Sequence, residues 1–187
     1  LKITILLYSC ALYMVKAIDL EGYYWRDFDG SIPLDAFPGG FDINNKPIYI
    51  GQVLHEKSLI PGNIYYNDKN VYYEWGGKEF VVKHNAKILC TRYPEQFKWV
   101  ETDNENLKRL TNVYLVNGGY EPGCTTYIGR IRYGGEVLIG KAIADNPVSD
   151  GIHFTQNGKV YRRSFFDVLS FKPISILSLI NRCPYYV

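Results

Sequence analysis

The residues that most often carry catalysis or bind metals are few in this chain and poorly spaced for either role. The three histidines, His55, His84 and His153, lie far apart, and none has a second His or Cys at the spacing of a metal-ligand pair. His55 and Glu56 lack the second histidine of a zinc-protease motif. No nucleophile elbow, phosphate-binding loop or catalytic Cys–His signature is present. The sequence therefore predicts no catalytic residue, no metal site and no cofactor, although paired carboxylates for glycoside hydrolysis stay open.

Aromatic side chains are the second group with chemical potential, because a ring face stacks on the apolar face of a sugar. Trp75 and Tyr73 precede a Gly-Gly pair, and Tyr23 and Tyr24 stand near the start of the first regular segment. The alternative for each of them is ordinary core packing, which the abundance of tyrosine favours.

Composition restricts the class of protein. The chain has 187 residues, 47% of them hydrophobic, with 21 Lys and Arg against 19 Asp and Glu. These figures fit one globular domain or two small units that share a core, and a net charge of +2 is too small to suggest the basic stripe of a nucleic-acid-binding protein. The 17 Tyr, 17 Gly and 9 Pro favour short strands and tight turns.

The first 17 residues resemble a secretory signal peptide. Lys2 is followed by 13 uncharged residues, and Val15 and Ala17 supply the small residues read at a cleavage site. The run is too short to span a bilayer, which needs about 20 residues. We therefore expect secretion, no membrane span and a mature chain without net charge; the alternative is a buried N-terminal strand or helix.

Three cysteines would remain after cleavage: Cys90, Cys124 and Cys183. Any of the three pairings is open, with a slight preference for Cys90–Cys124 because Cys183 lies in a tail. Three unpaired buried thiols are an equally good alternative.

An internal repeat organises the rest of the chain. Five blocks recur at offsets of 78 to 81 residues, beginning with a Gly-Gly pair in each half. The two copies span residues 23–90 and 97–170, and the apolar tail 174–187 has no counterpart and no assigned role. The clearest equivalent positions are Gly39-Gly40 with Gly118-Gly119, Gly51 with Gly129, and Pro61-Gly62 with Ile139-Gly140, and the two copies open with Trp25 and Trp99.

Each copy is predicted to be all-β. Short apolar runs such as 47–53, 71–75 and 125–131 alternate with Gly-, Pro- and Asn-rich segments, and no long helical periodicity is present. The Gly-Gly pairs and Pro61-Gly62 are predicted to be turns, the Gly-Gly pairs with positive φ. Gly51 and Gly129 are predicted to mark a bulge or a close approach of the backbone.

These blocks resemble the DM-nine (DM9) repeat family. The first copy carries the better match: Trp25, Pro38-Gly39-Gly40-Phe41-Asp42, Pro47-Ile48-Tyr49-Ile50-Gly51, Leu59-Ile60-Pro61-Gly62 and Gly76-Gly77-Lys78-Glu79. The resemblance implies two tandem, intertwined, antiparallel β-sandwich-like repeats. It also implies a lectin-like, non-enzymatic activity: recognition of mannose-type sugars in innate immunity or host–pathogen recognition.

The resemblance further implies where a sugar would bind. In sugar-binding members, an acid after the Gly-Gly pair and a Lys after the Pro-Gly pair hold the ligand. This chain offers Asp42 and Asn63 in the first copy and Glu121 and Lys141 in the second, so that the Lys survives only as Lys141. A carboxylate accepts hydrogen bonds from paired hydroxyls and an ammonium donates to hydroxyl oxygens, which suits a vicinal diol.

Other functions stay open at this stage. The main alternative is a non-catalytic protein-interaction module without affinity for sugar, and a weaker one is an accessory to a pore-forming protein, as in natterin-like toxins. Two weak sites on one chain would favour a homodimer, because avidity strengthens weak binding.

Overall fold

The computed structural model describes residues 22–144, 146 and 150–173. The predicted signal peptide, the tail from residue 174 and Cys183 lie outside the described residues. Within the described part of the chain there is no α-helix; two short 3-10 helices, Pro94–Gln96 and Leu107–Arg109, are the only helical turns in it. The prediction of an all-β fold is confirmed.

The strands form one continuous antiparallel network. The first copy contributes β1 (Tyr23–Asp27), β2 (Pro38–Phe41), β3 (Pro47–His55), β4 (Ser58–Tyr65), β5 (Val71–Trp75), β6 (Lys78–Val82) and β7 (Ala86–Thr91). The second copy contributes β8 (Phe97–Asp103), β9 (Tyr114–Leu115), β10 (Asn117–Glu121), β11 (Cys124–Tyr133), β12 (Glu136–Ile143), β13 (Gly151–Gln156), β14 (Lys159–Arg163) and β15 (Phe165–Phe171).

The two copies repeat the same strand arrangement. The central hairpin of the first copy, β3–β4, pairs Gly51 with Gly62, and that of the second, β11–β12, pairs Gly129 with Gly140. A flanking strand follows the same rule, because β7 pairs with β3 at Gly51 and β15 pairs with β11 at Gly129. Equivalent sequence blocks therefore occupy equivalent positions in the fold.

The copies are interlocked by two strand pairings that cross between them. Phe41 of β2 pairs with Val137 of β12, and Tyr120 of β10 pairs with Leu59 of β4. Each copy thus lends its Gly-Gly strand to the central hairpin of the other, which confirms the intertwined arrangement.

The Gly-Gly pairs are not turns, and this corrects the prediction. Both lie inside strands that carry a bulge, and among the four glycines only Gly119 has a positive φ, of 150°. The reason for glycine is contact across the two copies. A Cβ on Gly40 would lie 1.8 Å from the carbonyl oxygen of Val137, and one on Gly119 would lie 1.9 Å from that of Leu59.

Pro61-Gly62 is likewise inside a strand rather than in a turn. Pro61 pairs with Gln52 in the β3–β4 hairpin. A Cβ on Gly62 would lie 2.5 Å from the carbonyl oxygen of Tyr72, and one on Gly140 would lie 2.3 Å from that of His153. Close passage of the neighbouring strand therefore explains both glycines.

Two apolar clusters fill the interior of the described part of the chain. One joins the copies, since it contains Ile48 and Ile50 of the first together with Ile128 and Leu138 of the second. The other is formed within the first copy, around Ile60, Ile64 and other side chains. The shared cluster makes each copy depend on the other for burial of its apolar face.

Candidate functional site

Lys141 lies in the middle of β12, a strand whose residues are all buried. Its strand neighbours are Ile128 of β11 and His153 of β13. Only 4% of Lys141 is exposed. Because a buried ammonium is stable only when it is paired, the partners of Lys141 define the site.

Glu74 of β5 is the inner partner and comes from the first copy. Its Oε2 lies 2.7 Å from Lys141 Nζ, and its Oε1 accepts a hydrogen bond of 2.8 Å from the backbone N–H of Gly77. Gly76 and Gly77 form the turn of the β5–β6 hairpin with φ of 56° and 76°. The turn and the ion pair therefore fix the carboxylate from both ends.

Glu121, at the end of β10, is the outer partner. Its Oε1 contacts Lys141 Nζ directly, and 17% of its side chain is exposed against 4% for that of Glu74. The ring of Trp75 lies 5.4 Å from the same ammonium, close enough for a cation–π interaction. The structure thus brings together Glu121 and Lys141, as the family resemblance implies, and adds Glu74 and Trp75.

This cluster contains more negatively charged groups than positively charged ones. Two carboxylates share one ammonium, and His153 Nδ1 lies 4.0 Å from Glu74 Oε2, where it adds positive charge only when it is protonated. Breaking a buried ion pair costs about 3–5 kcal/mol, because the remaining charge is left without a partner. Lys141 is therefore held firmly in one place.

The equivalent residues of the first copy are arranged differently. Asn63 is only 1% exposed, and its amide makes two hydrogen bonds to the backbone of Ile139: Nδ2 donates to the carbonyl oxygen at 2.9 Å, and Oδ1 accepts from the N–H at 2.7 Å. Both ends of the amide are therefore used in joining the two copies.

Asp42 caps a tight turn. Its Oδ1 accepts hydrogen bonds from the backbone N–H groups of Asn44, at 2.8 Å, and Lys46, at 2.7 Å. Among the described residues, no hydrogen bond or ion pair joins Asp42 to Asn63. The first copy thus has the two predicted residues without the contact that unites Glu121 and Lys141.

Sequence reasoning missed Glu74. Its equivalent in the second copy is Thr155, 81 residues later, so the repeat itself gives no acid at this position. The only available signal was an isolated acid between the aromatic residues Tyr73 and Trp75. Its proximity to Lys141 depends on the packing of β5 against the second copy, which no local pattern reveals.

The other aromatic candidates have structural roles. Tyr73 is buried, and its hydroxyl lies 2.8 Å from Nδ1 of His55; burial raises the pKa of Tyr73. Tyr23 is also buried in the shared core. The Tyr24 hydroxyl donates a hydrogen bond to the carboxylate of Asp35, which lowers the pKa of Asp35.

The favoured disulfide is not formed. Cys90 is a free thiol, fully buried in the apolar cluster of the first copy, so the predicted bridge to Cys124 is wrong. Burial raises the pKa of Cys90 to about 12, which keeps the thiol protonated and unreactive at neutral pH. The residues described also contain no group of three or more His, Cys, Asp or Glu placed to hold a metal ion.

Comparison with solved structures identifies the same fold elsewhere. Seven chains match, among them the nematode sperm cell motility protein MFP2B, with a TM-score of 0.58 and 15% sequence identity. That alignment covers 82% of this chain and 48% of MFP2B, so the chain spans about half the length of that protein. At this identity the likeness shows the fold alone.

No curated protein matches the sequence. No helix in the described ranges is both long and apolar enough to cross a membrane. The model of the DM9 repeat matches residues 12–82 and 42–149, which together cover most of the chain. The chain belongs to the DM9 repeat family.

Proposed function

We propose that this protein is a secreted, non-catalytic, lectin-like protein that binds mannose-type glycans through Glu121 and Lys141, and that it acts in recognition between host and microbe. The single observation that carries the proposal is the direct contact between the carboxylate of Glu121 and the ammonium of Lys141. Membership of the DM9 repeat family, whose sugar-binding members use an acid and a lysine at these positions, supports it.

The geometry suits a vicinal diol. Two adjacent hydroxyls can donate to the carboxylate of Glu121 while an oxygen accepts from Lys141. The buried carboxylate of Glu74 already holds the ammonium in place, so the Lys141 side chain loses little conformational entropy when a ligand binds. Glu121 is the more exposed carboxylate and is therefore the one that exchanges its contact with Lys141 for contacts with the sugar.

The proposal assigns one strong site to each chain. Asn63 is committed to the backbone of Ile139, and Asp42 to its own turn, which argues against a second site of equal strength. A homodimer would then present two sites, and linking two sites can raise overall affinity by a factor on the order of a hundred or more.

A glycan array followed by titration calorimetry tests the proposal. Lys141→Ala and Glu121→Gln should each weaken binding of mannose-type glycans by about tenfold or more, since each removes a charge-assisted contact. Glu121→Gln is the more informative variant, because Glu121 is partly exposed, whereas Lys141→Ala leaves Glu74 buried without its counter-ion. The expected stoichiometry is one sugar per chain.

Lys46→Ala is the matched control, because Lys46 is exposed and also lies over an aromatic ring, that of Tyr66. Its removal should leave affinity unchanged. The proposal fails if no glycan binds, or if binding survives both Lys141→Ala and Glu121→Gln.

The alternative function is a protein-interaction module without affinity for sugar. Capture of a protein partner that free mannose does not reduce would favour this function.

A further inference from the structure

The site around Lys141 has an excess of negative charge. Glu74 and Glu121 both lie within ion-pair distance of a single ammonium, which leaves one carboxylate charge without compensation whenever His153 is neutral. All of these side chains are largely shielded from water. An unbalanced charge in such a place raises the free energy of the unliganded protein, and a cation lowers it.

Glu74 shows where the deficit lies. Its Oε2 is buried and lies 2.7 Å from Lys141 Nζ, yet no donor is aligned on it as a hydrogen bond. The ion pair therefore satisfies the charge of Glu74 only in part. Oε2, which faces Lys141, is therefore the oxygen that can still accept a hydrogen bond, because Oε1 already accepts one from Gly77.

Trp75 supplies a surface that attracts a second cation. Its ring is only partly buried, and it already lies 5.4 Å from the ammonium of Lys141. An indole ring beside carboxylates is a favourable setting for an ammonium group, since the ring face and the carboxylates attract the same charge. Glu121, the more exposed of the two carboxylates, lies at the same ammonium and makes this surface reachable from solvent.

We propose that the preferred ligand of this site is an amino sugar, a hexose that carries a free ammonium group, rather than a neutral hexose. This inference rests on the proposed function. The ammonium lies between Glu121 and Trp75 and supplies the missing positive charge, while ring hydroxyls contact Lys141 and Glu121. Neutral mannose makes the hydroxyl contacts alone.

Titration calorimetry on the full chain provides the test, with mannose, mannosamine and N-acetylmannosamine at a pH where the amine is protonated. These three sugars differ only at one substituent, and acetylation removes the charge while keeping the nitrogen. Mannosamine should bind about threefold to tenfold more tightly than mannose, as expected for one partly exposed ion pair with a cation–π contact. N-acetylmannosamine should lose that advantage, and added salt should reduce it.

Glu74→Gln locates the cause. The substitution keeps an oxygen that can accept from Gly77 and removes the excess charge, so the ratio of the affinities for mannosamine and mannose should fall to about one. Glu79→Gln is the matched control, because Glu79 is on the same hairpin and also accepts a hydrogen bond from a glycine N–H, that of Gly158. Its ratio should equal that of the wild type.

The outcomes separate the two proposals. If none of the three sugars binds, the proposed function fails and this inference fails with it. If mannose binds as tightly as mannosamine, only the inference of an amino sugar is overturned. It is also overturned if the preference persists in Glu74→Gln, since the charge excess would then not be its source.

Discussion

Asn63 and Lys141 occupy the same position in the two copies, yet they do different work. Lys141 is buried between two carboxylates, whereas Asn63 replaces the charge with an amide that bonds the backbone of Ile139. An amide is suited to this role because it donates and accepts at once, and it needs no counter-ion. Asparagine at position 63 therefore adds two hydrogen bonds between the copies, where the second copy has the ion-paired Lys141.

Asn63→Ala is expected to reduce the free energy of unfolding by about 2–4 kcal/mol, because it leaves a buried N–H and a buried carbonyl of Ile139 without partners. Urea denaturation measures the change, and Asn44→Ala is the control. Asn44 is exposed and should change stability by no more than about 0.5 kcal/mol. A loss below that level in Asn63→Ala would contradict the structural role.

At the residue scale, sequence reasoning finds the positions but not their contacts. Family resemblance indicated Glu121 and Lys141, and the structure joins them. The same resemblance indicated Asp42 and Asn63, which the structure commits to a turn and to a backbone bond; their part in binding stays a prediction. The sequence does not indicate Glu74, because Glu74 and Lys141 are 67 residues apart and meet only through the packing of their strands.

At the scale of elements, the glycine-rich strands β2 and β10 set how closely the copies approach. Their outer glycines, Gly40 and Gly119, face backbone carbonyls of the opposite copy at distances that leave no room for a side chain. The acid of the predicted site lies two residues after the glycine in each copy: Asp42 directly follows β2, and Glu121 is the last residue of β10. The spacing of the copies and the placement of these acids therefore depend on the same glycines.

Gly40→Ala is expected to destabilise the protein by more than about 3 kcal/mol or to prevent folding. The new Cβ would lie 1.8 Å from the carbonyl oxygen of Val137, and a backbone atom cannot give way without shifting β12. The free energy of unfolding from chemical denaturation, or the yield of folded protein, measures the effect.

Gly76→Ala is the control for that experiment. Gly76 has a positive φ of 56° but no atom within 4 Å of the position of a Cβ. Its replacement should cost about 1 kcal/mol, from backbone strain alone. Equal losses in the two variants would show that close approach is not the reason for glycine at position 40.

Sequence patterns predict the strands of this fold well and the meaning of its glycines poorly. The run 71–75 is found as β5 with the same limits, and 47–53 is extended by two residues in β3. The Gly-Gly pairs were expected to be turns because glycine in a loop and glycine under a crossing strand look the same in one sequence. Only the pairing of β2 with β12 and of β10 with β4 distinguishes them.

At the scale of the whole molecule, the repeat in the sequence becomes a single body. The larger apolar cluster takes side chains from both copies, and two pairings exchange strands between them. The period of the sequence blocks predicts that two like units exist. It does not predict that the candidate site is built from both, with Glu74 and Trp75 from one copy and Glu121 and Lys141 from the other.

The two copies are therefore expected to unfold together. Separation would expose the shared cluster and leave β2 and β10 without their partners, so neither half has a stable state of its own.

Trp75 packs on the cluster of the first copy and Trp99 on the shared cluster, which makes them suitable probes. Two full-length variants each retain one of these tryptophans, and Phe replaces the others. As urea is added, the tryptophan fluorescence of each variant should show a single transition. That transition should coincide with loss of the β-sheet circular-dichroism signal of the same variant. Two transitions, or a probe that changes well before the sheet is lost, would mean that the interlocking strands do not couple the copies.

A substitution in one copy gives the stricter form of the test: Asn63→Ala should lower the midpoints seen by both probes equally, because Asn63 bonds the two copies to each other.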